Sequence, residues 1–131
     1  MSRHCLDTST YSRFKRGDPQ VVDLVDGAEW PGLPCVVLGE LWTGFLLSDR
    51  IEWHLAELAQ FLDNPVVHEI VLDRNVGRIY GEIVVALRRA GTPLPTNDIW
   101  IAAAAAHTGA TVLTYDDHFN SIQRVGAIIL G

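Results

Sequence analysis

Cysteine, lysine and long apolar runs are all scarce in this chain of 131 residues. Its only cysteines, Cys5 and Cys35, lie far apart, which excludes a disulfide framework and a CxxC metal pair. They are expected as buried free thiols on two strands, in a reduced, cytoplasmic setting. No apolar stretch approaches the roughly 18 residues of a membrane span. The opening MSRHCL has no apolar h-region, so neither a membrane anchor nor a secretory leader is expected. No G-x-G-x-x-G follows the first apolar segment, which excludes a Rossmann cofactor domain. Repeats, low-complexity tracts and linkers are missing too. A single domain over residues 1–131 is the expectation.

What is present is an apolar, acidic chain. Hydrophobic residues make up 48% of it, which rules out intrinsic disorder. Ten basic against sixteen acidic residues leave a formal charge of −6. That balance argues against a protein that coats nucleic acid by bulk attraction. It does not argue against a nucleic-acid enzyme, because acids gathered around a cation enter the same sum. All the basic residues except Lys15 are arginines, whose planar fork suits phosphate. Arg13, Lys15 and Arg16 form one cluster, and Arg74, Arg78, Arg88 and Arg89 another.

Periodicity alternates between strand and helix. Residues 3–6 read as a strand stopping at Asp7-Thr8-Ser9, and 9–16 as a short helix closed by Gly17-Asp18-Pro19. Pro19 to Gly27 reads as a second helix with proline at its start. Residues 34–38 (PCVVL) read as a buried strand running into Gly39-Glu40, with Leu41, Trp42, Phe45 and Leu46 at helical spacing behind it. Ile51, Leu55, Leu58 and Leu62 mark a further helix ended by Asn64-Pro65, and Val66 to Leu72 reads as extended. Asp73 is a suitable N-cap for a long helix with Val76, Ile79, Tyr80, Ile83, Val84 and Leu87 on one face. After the stiff loop 91–95, Asn97-Asp98 leads an Ile- and Ala-rich helix, apolar on nearly every side, that stops at Gly109. Residues 110–114 and 127–130 read as strands, with a turn or short helix over 116–122. This order predicts an α/β domain with a largely parallel sheet and helices on both faces.

Four acids share one property. Asp7 ends the first strand, Glu40 sits just past the second, Asp98 opens the buried helix, and Asp116 follows the strand at 110–114. Open parallel sheets bind ligands at the carboxyl ends of their strands, so these acids are expected to converge there. Several carboxylates in one cleft repel each other unless a cation neutralises them. With oxygen ligands and no Cys/His pair on offer, a hard cation such as Mg²⁺ or Mn²⁺ suits the set. Its associated chemistry is attack of an activated water on a phosphodiester. Each acid also has a plainer role: Asp7 and Asp98 as helix caps, Glu40 in a first helical turn, Asp116 in a turn with Asp117 and His118. His118 is read as a turn residue near the site. His4, His54, His68 and His107 show no ligand spacing.

The segments LDTSTYSRFKRGD (6–18), VVLGELWTG (36–44) and GTPLPTNDIWIAAAAAHTGATVLTYDDHF (91–119), in that order, resemble PIN-domain ribonucleases, specifically VapC-type toxins of bacterial toxin–antitoxin pairs. The resemblance runs through nearly the whole chain. It implies a PIN-like three-layer α/β/α fold. It also implies a metal-dependent endoribonuclease toxin, using Mg²⁺ or Mn²⁺ and cutting RNA such as tRNA or rRNA. The metal-binding acids carried over are Asp7, Glu40, Asp98 and Asp116, with Ser9, Asn97 and Thr114 in support. A VapB-type antitoxin, a homodimer and a toxin–antitoxin hetero-oligomer are implied as well. Trp42, Phe45 and Leu46 are read as core packing, with a dimer or antitoxin groove as the alternative. Many relatives carry Arg where Tyr115 stands, so a basic contact there is absent or comes from elsewhere.

Two other classes share parts of this pattern. A non-catalytic PIN-like module that binds RNA or protein is the main alternative, and it is disfavoured by the filled set of acids. A receiver-like or phosphatase domain also places acids at strand ends. It wants a lysine reaching the phosphate, and Lys15 is poorly placed for that.

Overall fold

The computed structural model describes residues 2–131. Its centre is a five-stranded sheet in the order β3-β2-β1-β4-β5, every neighbouring pair parallel. The strands are β1 (Arg3–Leu6), β2 (Trp30–Pro34), β3 (His68–Ile70), β4 (Thr111–Thr114) and β5 (Ala127–Ile129). Helices α1 (Thr8–Lys15) and α2 (Pro19–Asp26) join β1 to β2, and α3 (Cys35–Leu46) and α4 (Ile51–Leu62) join β2 to β3. The return to β4 runs through α5 (Arg74–Ala90) and α6 (Thr96–Thr108), and a 3₁₀ turn at Asp117–Ser121 precedes β5. Parallel crossovers are almost always right-handed, so connections running β1→β2→β3 and those returning to β4 and β5 cover opposite faces. The α/β, largely parallel expectation is the fold observed.

The core follows from the periodicities. On α5, Val76, Ile79, Ile83 and Leu87 are buried along one stripe, with Asp73 capping the helix through Asn75 and Val76 N–H. That stripe packs on α6, where Ala102, Ala103, Ala104 and Ala105 are wholly buried. Small side chains let the helices and sheet approach closely, and Tyr80 stacks on Trp100 with ring centroids 3.9 Å apart. Gly109 ends α6 at φ +69°, a left-handed conformation that glycine adopts without steric cost.

The second strand departs from expectation. It is Trp30–Pro34, not residues 34–38, and Cys35 already begins α3. A segment with two prolines and a glycine reads as loop, whereas Cys-Val-Val-Leu reads as strand. Trp30 N–H donates to Ser2 O, and alternation along a parallel strand then turns Pro31 nitrogen away from β1. On that side β3 begins pairing only at Gly32, and on the β1 side pairing ends at Gly32, before Pro34. Neither proline therefore removes a ladder bond. Meanwhile Val37 and Leu41, four apart, supply the buried stripe of α3. Cys35 is consequently exposed and helical, not a buried strand thiol, while Cys5 is buried as expected. The extended segment expected at 66–72 forms a ladder only at His68–Ile70.

Candidate active site

Strands β1 and β4 are neighbours at the centre of the sheet, and the chain leaves their carboxyl ends in opposite directions. That switch point opens a crevice. Asp7 follows β1, and Asp116 lies two residues beyond β4. Glu40 reaches the crevice from α3 and Asp98 from α6. All four acids line one open cavity of ≈ 500 Å³, together with Thr8, Ser9, Ser12, Arg13, Arg16 and Ile101.

Asp7 is the most constrained of the four, with 6% of its surface exposed. It does two things at once. Its Oδ1 accepts from Thr10 N–H at 2.9 Å and caps α1, while Oδ2 accepts from the Thr114 hydroxyl at 2.5 Å. Ser9 Oγ donates to Oδ1 at 3.3 Å. Thr114 in turn accepts from Asp116 N–H at 2.9 Å, so one buried hydroxyl ties both strand ends together. Asp116 caps the 3₁₀ turn by accepting from His118 N–H at 2.9 Å, and the His118 imidazole lies 3.0 Å from the same oxygen. The cap and turn roles considered from sequence for Asp7 and Asp116 therefore hold in the geometry, beside their position in the cavity.

Glu40 stands one turn and a half inside α3, not just past a strand, because the helix starts at Cys35. Its two oxygens accept from Thr8 Oγ1 at 2.7 Å and from Asn97 Nδ2 at 3.4 Å. Asp98 is not the cap of α6: that position is Pro95, which offers no side-chain bond, and Asp98 lies in the first turn. Its carboxylate is free to face the cavity. Burial raises its pKa first, and the charges of Asp116, Asp7 and Glu40 raise it further, with His118 pulling the other way. Four acids on three sides thus crowd one another electrostatically.

That donor set fits a hard divalent cation. It offers carboxylate oxygens, and Asp98, Asp116 and His118 each present a ligand atom within 4.8 Å of the others. His118 also orients Asp116 as an outer partner would. Ser9 contacts Asp7, Asn97 contacts Glu40, and Thr114 contacts both Asp7 and Asp116. Sequence reasoning missed Thr8, and noted Arg13 and Arg16 only as a cluster. Positions 9, 12, 13 and 16 follow helical spacing and share the face of α1 that lines the cavity, which was the available signal. Tyr115 carries Arg13 across its ring, guanidinium 4.1 Å from the centroid, and donates to Asp18 Oδ2 at 3.1 Å. The basic group near position 115 thus comes from α1.

Comparison with known proteins agrees with this architecture. The family profile described as PIN domain matches residues 4–125. The chain is 32% identical over 130 residues to Ribonuclease VapC4 of Mycobacterium tuberculosis, covering 98% of this chain and 97% of that protein. In fold it resembles DNA-bound VapBC from Salmonella typhimurium, with a TM-score of 0.87, 24% identity and 98% of both chains covered. VapBC2 from Rickettsia felis, bound to a promoter DNA fragment, gives a TM-score of 0.84 at 22% identity, again over 98% of both chains. The chain belongs to the PIN-domain family, among its VapC-type ribonucleases.

Proposed function

We propose that this protein is a metal-dependent endoribonuclease acting as the toxin of a toxin–antitoxin pair. The observation that carries the reading is the convergence of Asp7, Glu40, Asp98 and Asp116 on one open cavity at the switch point of the sheet. These carboxylates would hold Mg²⁺ or Mn²⁺, which when bound lowers the pKa of a water and offsets charge on the phosphate. Thr114, Ser9 and Thr10 fix the Asp7 carboxylate, and Thr8 and Asn97 fix Glu40. Fixed acids need little reorganisation during reaction. Arg13 and Arg16 on the cavity wall suit the RNA backbone, an Arg fork matching two phosphate oxygens.

The partner in this reading is a VapB-type antitoxin, in line with the VapBC complexes that share the fold. A basic antitoxin side chain would answer the acids, and Trp42, Leu46 and Leu47, all exposed on or just after α3, would receive apolar residues. A toxin homodimer belongs to the same reading. The test is cleavage of tRNA and rRNA by the purified chain with Mg²⁺ or Mn²⁺, set against Asp116→Asn. Cleavage by the parent, its loss in the variant, and its suppression by the antitoxin encoded beside it are expected. Intact RNA across neutral pH with either metal would overturn the reading.

A further inference from the structure

A second, smaller chamber adjoins the acid cavity, and Ser12 and Arg16 line both. It lies between α1, α3 and α4 and measures ≈ 150 Å³. Phe45, Trp53 and His54 form an aromatic wall, with Phe45 stacked on His54 at 4.8 Å and Trp53 edge-on to His54 at 5.1 Å. Lys15 and Arg16 place positive charge at its rim in an otherwise acidic chain. Tyr11, only 2% exposed, turns its ring edge-on to Phe61 in the core, and its hydroxyl is buried with no hydrogen-bond partner among the described residues. Glu57 lines the same space, and its charge adds to the burial that raises the Tyr11 pKa.

We infer that this chamber is a nucleobase subsite for a pyrimidine flanking the cleaved phosphate, an inference that rests on the ribonuclease reading. Three properties point the same way. First, about 150 Å³ is the space that takes a single benzene ring, so a six-membered base fits wholly inside while a fused purine would protrude from it. Second, single-stranded RNA is read by splaying bases onto aromatic side chains and bonding their edges, which is what this wall and the Glu57 carboxylate offer. Third, Arg16 sits where the two cavities meet, in place for the phosphate that joins the bound nucleotide to the one being cut.

Calorimetric titration of the chain in magnesium buffer with cytidine, uridine, adenosine and guanosine monophosphates tests this without requiring cleavage. The pyrimidine nucleotides are expected to bind about tenfold tighter than the purine ones, the scale of one or two hydrogen bonds. Glu57→Gln should remove much of that difference, with a melting temperature close to that of the parent. Equal affinities, a purine preference, no binding, or a preference that survives Glu57→Gln would overturn the subsite and leave the chamber to a partner's side chain. RNA cleavage is scored separately. Cleavage without a base preference in binding removes only the subsite, and pyrimidine binding without cleavage removes the ribonuclease reading.

Discussion

Thr114 and Asp7 stand 107 residues apart in sequence and share a buried hydrogen bond of 2.5 Å at the centre of the sheet. The threonine hydroxyl donates a hydrogen bond to Asp7 and accepts one from the Asp116 N–H, so the last residue of β4 sets both strand-end acids. Thr114→Val keeps shape and strand preference but strips both bonds. Unfolding free energy should fall by about 1–3 kcal/mol, the usual cost of leaving buried polar groups unpaired. Cleavage should fall further than stability alone explains, because Asp7 loses its orientation. Thr114→Ser should recover most of both. Denaturation curves and RNA cleavage on the two variants decide it.

The crowded Asp98 carboxyl makes stability depend on pH in a defined direction. Its pKa in the fold is raised above the ordinary aspartate value of 3.8, so between the two values the native state binds more protons than the unfolded chain. Stability from this group therefore declines as pH climbs through that window, and the deficit persists at neutral pH. Asp98→Asn removes the charge, and since Asp98 is not the cap of α6, no cap is lost with it. Without metal, the variant should be more stable than the parent at neutral pH and equal to it in acid. Saturating Mg²⁺ or Mn²⁺ should reverse the order, since a ligand at a hundred times its Kd adds about 2.7 kcal/mol to a native state that binds it. Melting curves that ignore both pH and metal would remove Asp98 from a cation site.

Arg13 lies over Tyr115 and lines the acid cavity. If it meets a phosphate, Arg13→Gln should weaken RNA binding at low salt and flatten the plot of log K against log salt by about 0.7, one single-strand phosphate contact. Binding to a cleavage-deficient Asp116→Asn background at several salt concentrations measures this. An unchanged slope places Arg13 off the RNA path.

Gly32 tests the strand that the sequence placed wrongly. A Cβ there would stand 2.7 Å from Trp30 Cζ3 and 3.0 Å from Ile70 Cδ1. The indole cannot swing aside freely, being stacked on His68 at 4.6 Å and covered by Arg3 at 5.2 Å. Gly32→Ala should cost about 1–3 kcal/mol, as overpacking does, measured by chemical denaturation.

Most of the scaffold was legible because its helices carry strong periodicity and explicit ends. Asp73 and Gly109 mark helix ends, and the buried stripe of α5 is clear in the sequence alone. Asp7 and Asp116 stood out because each directly follows a strand of the sheet, whereas Glu40 and Asp98 reach the cavity from inside helices. What misled was local preference overruled by neighbours. Trp-Pro-Gly-Leu-Pro looks like loop until β1 and β3 flank it, and Cys-Val-Val-Leu looks like strand until α3 needs Val37 against the core. That shift carried Glu40 into a helix and Cys35 to the surface. It also hid Thr8, whose bond to Glu40 joins α1 to α3 and has no trace in linear spacing.

The sheet order has a consequence for how a cell makes this chain. β1 is made well before its neighbour β4, and Thr114, which helps complete the cleft, follows Asp7 by 107 residues. Until then Asp7 keeps only the local bonds from Thr10 N–H and Ser9, without the Thr114 hydroxyl or the facing Asp116. The cleft comes into being only when the returning helices have crossed the sheet and β4 has slotted beside β1. Copies that stop short of Thr114 thus lack the completed acid cleft. Whatever binds that cleft has no finished surface to meet until β4 is in place.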